Sequence, residues 1–218
     1  MENLKVLIFD FDGVIFDSES LHLQAFNEVL KNHDITISEE DYYKNFISFD
    51  DKGVFEKLID DKQTVDQLIK DKNNFFEKYS IDNGLLFDGV CELIEKLSSK
   101  YILCIGSGAK RSEIISILKK FNLESFFEVI ISADDVNYSK PNPETFQKVI
   151  DILNESENIR AIDCLVIEDT PGGIMAAKSA DMYCASITNT FDESLLKDAD
   201  FIFNSYHEIE DFLLLDID

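Results

Sequence analysis

The sequence predicts an α/β protein: a doubly wound parallel sheet of Rossmann-like kind, with one small helical domain inserted into it. Three observations predict this. Short unbroken apolar runs recur along the chain. Segments of helical period lie between them, so strands and helices alternate. One interval, from about residue 18 to residue 83, breaks the alternation and holds helical period alone.

The apolar runs cover residues 5–9, 102–105, 129–131, 165–167, 183–187 and 201–203. Runs this short and continuous suit strands buried on both faces, as in a parallel sheet. Helical period is predicted over 90–97, 111–121, 143–153, 173–180 and 207–214. Within the exceptional interval, Leu21, Phe26, Val29 and Leu30 keep helical spacing. Val54, Phe55, Leu58 and Ile59 do the same, as do Val65, Leu68, Ile69, Phe75, Phe76 and Tyr79. The expected organisation is an α/β core of residues 1–15 and 84–218, interrupted by a helical cap of residues 16–83. Open α/β sheets bind ligands beyond the carboxyl ends of their strands, so the insertion is a candidate lid.

Composition narrows the function classes. Apolar residues are 45% of the chain, enough for a sizeable core. No apolar run approaches the roughly 20 residues of a membrane-spanning helix. Residues Met1 to Lys5 lack a basic region and a cleavable apolar stretch, so no secretory signal is expected. The net charge of −24 argues against a nucleic-acid partner. Cys91, Cys104, Cys164 and Cys184 form no Cys-x-x-Cys pair and are expected as reduced thiols of a cytoplasmic protein.

Four places carry chemistry. The first strand ends in Asp10-Phe11-Asp12-Gly13-Val14. Asp10 and Asp12 point the same way if extended, and Gly13 lets the chain turn sharply. Two acids at a buried strand tip need a cation or donors, which Mg²⁺ would satisfy and an Asx-turn would also satisfy. A second apolar strand ends in Glu168-Asp169-Thr170, followed by Pro171-Gly172-Gly173. Acids also favour a helix N-terminus, but two acid-tipped strands in one parallel sheet converge on one edge. Lys140 in Lys140-Pro141-Asn142-Pro143 precedes a helix whose first turn Pro143 suits. Ser107 and Gly108 follow the strand at 102–105, where Ser107 either donates to a phosphate oxygen or caps the helix beginning near Lys110.

In this order these elements resemble the haloacid dehalogenase-like superfamily, over nearly the whole chain. Asp10-x-Asp12-Gly13 is similar to its first motif, Ser107 to its second, Lys140 to its third and Glu168-Asp169 to its fourth. Asp17-Ser18-Glu19 and Gly173-Ile174-x-Ala176-Ala177 extend the likeness. The inserted helices resemble the small cap of the β-phosphoglucomutase and phosphoglycolate phosphatase subgroup. The resemblance implies a Mg²⁺-dependent phosphatase of small phosphorylated metabolites, with no protein partner. Asp10 would attack phosphorus, and Asp12 would serve as acid and then base. Mg²⁺ would be held by Asp10, the Asp12 carbonyl and Asp169, with Glu168 beside it. Ser107, Gly108 and Lys140 would hold the phosphoryl oxygens. An aspartate at position 12 favours phosphate esters over the haloacid and phosphonate substrates of other members.

One stretch departs from the resemblance. Residues 46–51 align with the specificity loop of the β-phosphoglucomutases, which carries a glycine and an arginine where this chain has Phe46 and Phe49. Without the arginine fork a second phosphate lacks its grip, which weighs against the alternative of a sugar-phosphate mutase. A non-catalytic metal- or phosphate-binding module is the other alternative. Lys72 and His22 match cap and hinge positions of that subgroup, and each is equally readable as an ordinary helix residue. Asp181 stands where relatives carry glycine, and aspartate tolerates a left-handed backbone.

Overall fold

The structure, a computed structural model, describes residues 4–47 and 49–214. Ser48 of the specificity-loop alignment therefore lies outside the described residues. In chain order the elements are β1 (Val6–Phe9), β2 (Phe16–Asp17), α1 (Glu19–Leu30), α2 (Glu39–Asn45), α3 (Asp51–Leu58), α4 (Lys62–Asn83), β3 (Leu85–Leu86), α5 (Val90–Leu97), β4 (Ile102–Gly106), α6 (Arg111–Lys120), β5 (Phe127–Ile131), α7 (Glu144–Leu153), β6 (Cys164–Glu168), α8 (Pro171–Ser179), β7 (Tyr183–Ile187), α9 (Glu193–Leu196), β8 (Phe201–Phe203) and α10 (Tyr206–Leu214). They form two compact units, residues 18–84 and the remainder.

The larger unit is built on a six-stranded sheet in the order β5-β4-β1-β6-β7-β8. Every adjacent pair in it is parallel. The chain runs from β1 outward through β4 to β5, then returns to β6 and runs the other way through β7 to β8. The direction of winding therefore reverses between β1 and β6, which is where a doubly wound sheet opens a crevice at its carboxyl edge. The register sets Phe9 opposite Ile105 on one side and Ile167 on the other. Asp10 follows directly, and its N–H donates to the Ile167 carbonyl at 2.9 Å. Val6, Leu7, Ile8 and Phe9 are fully buried, as the unbroken apolar run requires.

On one face the core joins Val6, Ile8, Cys104, Val166 and Cys184 to Phe146 and Val149 of α7 and to Ile174 and Ala177 of α8. The apolar stripe of α7 explains why it packs there. The left-handed turn after α8 falls on Asp181, at φ 57°. Position 181 thus takes the left-handed backbone that aspartate tolerates better than most residues.

Three local readings need correction. Strand β5 begins at Phe127, two residues earlier than its β-branched run suggests. Pro143 sits at the N-cap of α7 and not inside its first turn. A short antiparallel ribbon, Phe16–Leu86 and Asp17–Leu85, was not anticipated. Two-residue strands carry no usable period, so they leave no mark in the sequence.

The smaller unit holds α1 to α4. Its core joins Phe26, Val29, Leu30, Ile37, Tyr42, Val54, Phe55, Val65 and Leu68. Ser38, Asp50 and Asp61 cap α2, α3 and α4 by accepting from the N–H of Asp41, Gly53 and Thr64. Lys72 of α4 is fully buried. Its Nζ donates to Asp51 and to His22 Nδ1, the latter at 3.0 Å. It also lies 4.5 Å from the Phe26 ring centroid. Lys72 is therefore no solvated helix lysine. Phe46 packs against this core, whereas Phe49 is exposed with Lys57 Nζ 3.7 Å from its ring centroid.

Candidate active site

The tips of β1 and β6 bring Asp10, Glu168 and Asp169 together. All three are buried, and each offers a carboxylate oxygen within 4.8 Å of the others. Lys140, carried by the loop before α7, reaches into the group. Its Nζ lies 3.0 Å from Asp10 Oδ2 and 2.6 Å from Glu168 Oε1. The convergence of two acid-tipped strands thus follows from the adjacency of β1 and β6.

Two glycines make room for these acids. Gly13 has φ +74°, and a Cβ there would fall 1.9 Å from Asp169 Oδ2. Any other residue would push the Asp169 carboxylate aside. A Cβ on Gly173 would fall 1.8 Å from the Glu168 carboxyl carbon. Gly13 therefore does more than permit a turn, and Gly173 lets the start of α8 close over Glu168.

Glu168 is the most heavily supported of the three. Its Oε2 accepts from the Asp169 and Thr170 N–H groups, each at 3.1 Å, and from the Thr170 hydroxyl at 2.9 Å. Thr170 also caps α8 by accepting from the Gly173 N–H. Ser186 on β7 donates to the Glu168 carbonyl at 2.9 Å. Burial works to raise the Glu168 pKa, but the Lys140 ammonium and the Lys140 and Thr170 hydrogen bonds outweigh it and hold the group below its ordinary value.

The other two acids go the opposite way. Burial pushes the Asp10 carboxyl up to about 7, against the pull of Lys140 and with the help of Glu168 and Asp12. Burial, with the charges of Glu168 and Asp10, raises Asp169 well above the usual range. Burial works to lower the Lys140 pKa, but Asp10 and Glu168 hold it up. One ammonium thus faces three buried carboxylates, and two of them are short of positive charge. Asp169 Oδ1 is buried with no hydrogen-bond partner among the described residues. This oxygen-only donor set, with an unsatisfied oxygen and a charge deficit, fits a hard divalent cation.

Asp12 is half-buried and outside the carboxylate group, and its backbone bridges to Phe16. Ser107 is buried at the end of β4, and its hydroxyl accepts from the Ala109 N–H at 3.1 Å. The N-cap position of α6 belongs to Lys110. Ser107 is therefore not the cap of that helix. Gly108 is exposed, with nothing within 4 Å of its missing Cβ. Thr170 stands in its sequence motif without an assigned role, although the Thr170-Pro171 step at a helix start is a readable cap signal; Ser186, inside a strand, carries no such signal.

A doubly wound sheet with a cation-ready acid cluster at its switch point defines a class of phosphate- and metal-handling enzymes. The chain matches the haloacid dehalogenase-like hydrolase family over residues 7–187, and it belongs to that family. It is 26% identical over 211 residues to the validoxylamine A 7′-phosphate phosphatase of Streptomyces hygroscopicus subsp. limoneus, covering 94% of this chain and 95% of that one. It is 29% identical over 181 residues to a phosphorylated carbohydrates phosphatase of Thermotoga maritima, covering 81% and 82%. Among solved structures, a haloacid dehalogenase-like family hydrolase of Streptococcus pneumoniae superposes with a TM-score of 0.84 at 19% identity, covering 97% and 99% of the two chains. That likeness is one of fold.

Proposed function

We propose that this hydrolase cleaves small phosphate monoesters, with sugar phosphates as the leading class, through an aspartyl-phosphate on Asp10 and with Mg²⁺ as its cation. The observation that carries this reading is the buried meeting of Asp10, Glu168, Asp169 and Lys140 at the β1/β6 crevice. The names of the relatives support the substrate class.

In this reading Asp10 attacks phosphorus, and the ester P–O bond breaks as Asp12 gives its proton to the departing alkoxide. Water then attacks the phosphoryl group, yields a proton to the Asp12 carboxylate, and frees Asp10 and inorganic phosphate. Lys140 neutralises charge on the phosphoryl oxygens, and Glu168 holds Lys140 in place. Ser107 and the backbone at Gly108 orient the same oxygens. Mg²⁺ held by Asp10, Asp169 and the Asp12 carbonyl, with Glu168 beside it, would neutralise charge that builds on the phosphoryl group. Four free cysteines, three of them buried, fit a reducing compartment, and the same proposal places the enzyme in the cytoplasm.

The test is phosphate release from p-nitrophenyl phosphate and a panel of sugar phosphates, with Mg²⁺ and after chelation. Mg²⁺-dependent release is expected. Release that survives exhaustive chelation, or no release from any ester, overturns the proposal.

A further inference from the structure

The loop that carries Asp12 is gripped from the far end of the chain. Asn189 Nδ2 donates to the Gly13 carbonyl at 2.7 Å and to the Tyr206 hydroxyl at 2.8 Å. The Tyr206 hydroxyl donates in turn to the Val14 carbonyl at 2.5 Å. The donors and acceptors balance: both amide protons of Asn189 are used, and Tyr206 gives one bond and takes one. A flipped Asn189 amide would set its oxygen against a carbonyl, so this geometry allows one orientation only. Tyr206 is buried, and burial raises its phenol still further above an already high ordinary value, so the hydroxyl serves as a donor.

We propose that Asn189 and Tyr206 are positioning residues for Asp12, fixing the two peptide carbonyls that follow it so that its carboxyl meets the ester oxygen. The inference rests on the role of Asp12 as acid and base proposed above.

The turn itself leaves these carbonyls without partners. The Phe11 carbonyl takes the N–H groups of Ile15 and Phe16, at 2.8 and 2.9 Å, which closes the turn on its inner side. Gly13 and Val14 are buried, so their carbonyls need protein donors. Gly13 must also hold φ +74° against Asp169. The residue after Asn189, Thr190, sets its hydroxyl 2.9 Å from where a Cβ on Gly13 would stand. A single stretch after β7 therefore both bonds to and packs against the acid-bearing loop of β1.

A misplaced acid has a signature that general loosening lacks. Expelling an alkoxide needs a proton in the transition state, whereas p-nitrophenolate leaves well without one. The experiment compares kcat/KM of Tyr206→Phe and Asn189→Ala on an alkyl phosphate that the wild type hydrolyses and on p-nitrophenyl phosphate. Thermal unfolding monitors the fold, and Tyr206→Phe removes a single oxygen from the core. Since kcat/KM reads only the steps up to alcohol release, the later use of Asp12 as base does not enter it.

We expect a loss of about tenfold or more on the alkyl ester and of about threefold or less on the aryl ester, since a positioned acid contributes about 10²–10⁴. Equal losses on both esters, or none on either, overturn the inference. Asp12→Ala run in parallel separates the two claims. Selectivity in Asp12→Ala without selectivity in the clamp variants overturns the clamp alone. No selectivity in Asp12→Ala overturns the acid assignment and the clamp with it.

Discussion

Asp10 is buried beside Glu168 and Lys140, and its carboxyl is lifted by burial toward about 7. In the proposed reading Asp10 is the nucleophile, with the Phe11 N–H on its Oδ1 and the Lys140 ammonium beside its Oδ2 fixing its orientation. Asp10→Asn should fold normally and lose turnover by at least about 10⁴-fold, because the amide cannot form the covalent intermediate. Phosphate-release assays on protein with a wild-type unfolding midpoint check this, and near-normal activity would rule out the covalent route. Gly13→Ala should cost about 1–2 kcal/mol for the left-handed backbone alone. It should also lower kcat by about 100-fold, since the new Cβ displaces Asp169. Chemical denaturation and kcat together test this, and full activity would show that Asp169 has room to move. Asp10, Glu168 and Asp169 stood out because they follow apolar runs, whereas Asp12, Ser107 and Lys140 stood out through the family resemblance; of the six, Asp10, Glu168, Asp169 and Lys140 meet in the fold. Asn189 and Tyr206 did not stand out, because a polar residue in a loop or at a helix start looks the same whether it meets water or a buried carbonyl.

Among the elements, α4 carries the least expected feature, a lysine sealed in the helical unit by Asp51 of α3 and His22 of α1. Removing Asp51 would leave the Lys72 ammonium buried without its counter-charge, whereas removing Lys72 leaves a carboxylate that still reaches solvent. Asp51→Ala should destabilise the protein by about 3 kcal/mol, while Lys72→Met should change stability by about 1 kcal/mol or less. Urea unfolding of both variants measures this, and equal losses would mean that packing and not charge sets the cost. Burial, then the charge of Lys72, holds the His22 pKa well below its ordinary value, so the ring stays neutral in the fold. The unfolded chain takes up a proton near pH 6.5 that the folded chain refuses. The contribution of His22 is therefore present above pH 6.5 and falls away as the pH drops toward the depressed folded value. His22→Asn should flatten the pH dependence of the urea midpoint below about pH 6.5 by up to about 1.4 kcal/mol per pH unit. Parallel wild-type and variant curves would refute it.

At the scale of the whole molecule, a net charge of −24 faces an anionic substrate. Reversing that field locally calls for Lys140 and a divalent cation. The cation should also stabilise the fold, because three buried carboxylates repel one another without it. Millimolar Mg²⁺ should raise the unfolding midpoint by about 5 °C or more, and EDTA should reverse the rise. Asp169→Asn should lose most of this shift. A midpoint indifferent to Mg²⁺ in the wild type would count against the cation site.

Local pattern was enough to read the sheet, its flanking helices, the helical insertion and the acids that tip β1 and β6. These are local properties: an unbroken apolar run reads as a buried strand, and a carboxylate after it reads as a strand tip. Which tips meet depends on the order in which the strands pack. The order β5-β4-β1-β6-β7-β8 sets Asp10 beside Glu168, residues far apart in the chain. The same order brings Lys140 between them and places Asn189 and Tyr206 behind the Asp12 loop. Burial and charge are sums over neighbours in space, so a pKa, a cleared pocket at Gly13 or a sealed Lys72 exists only once distant segments have packed.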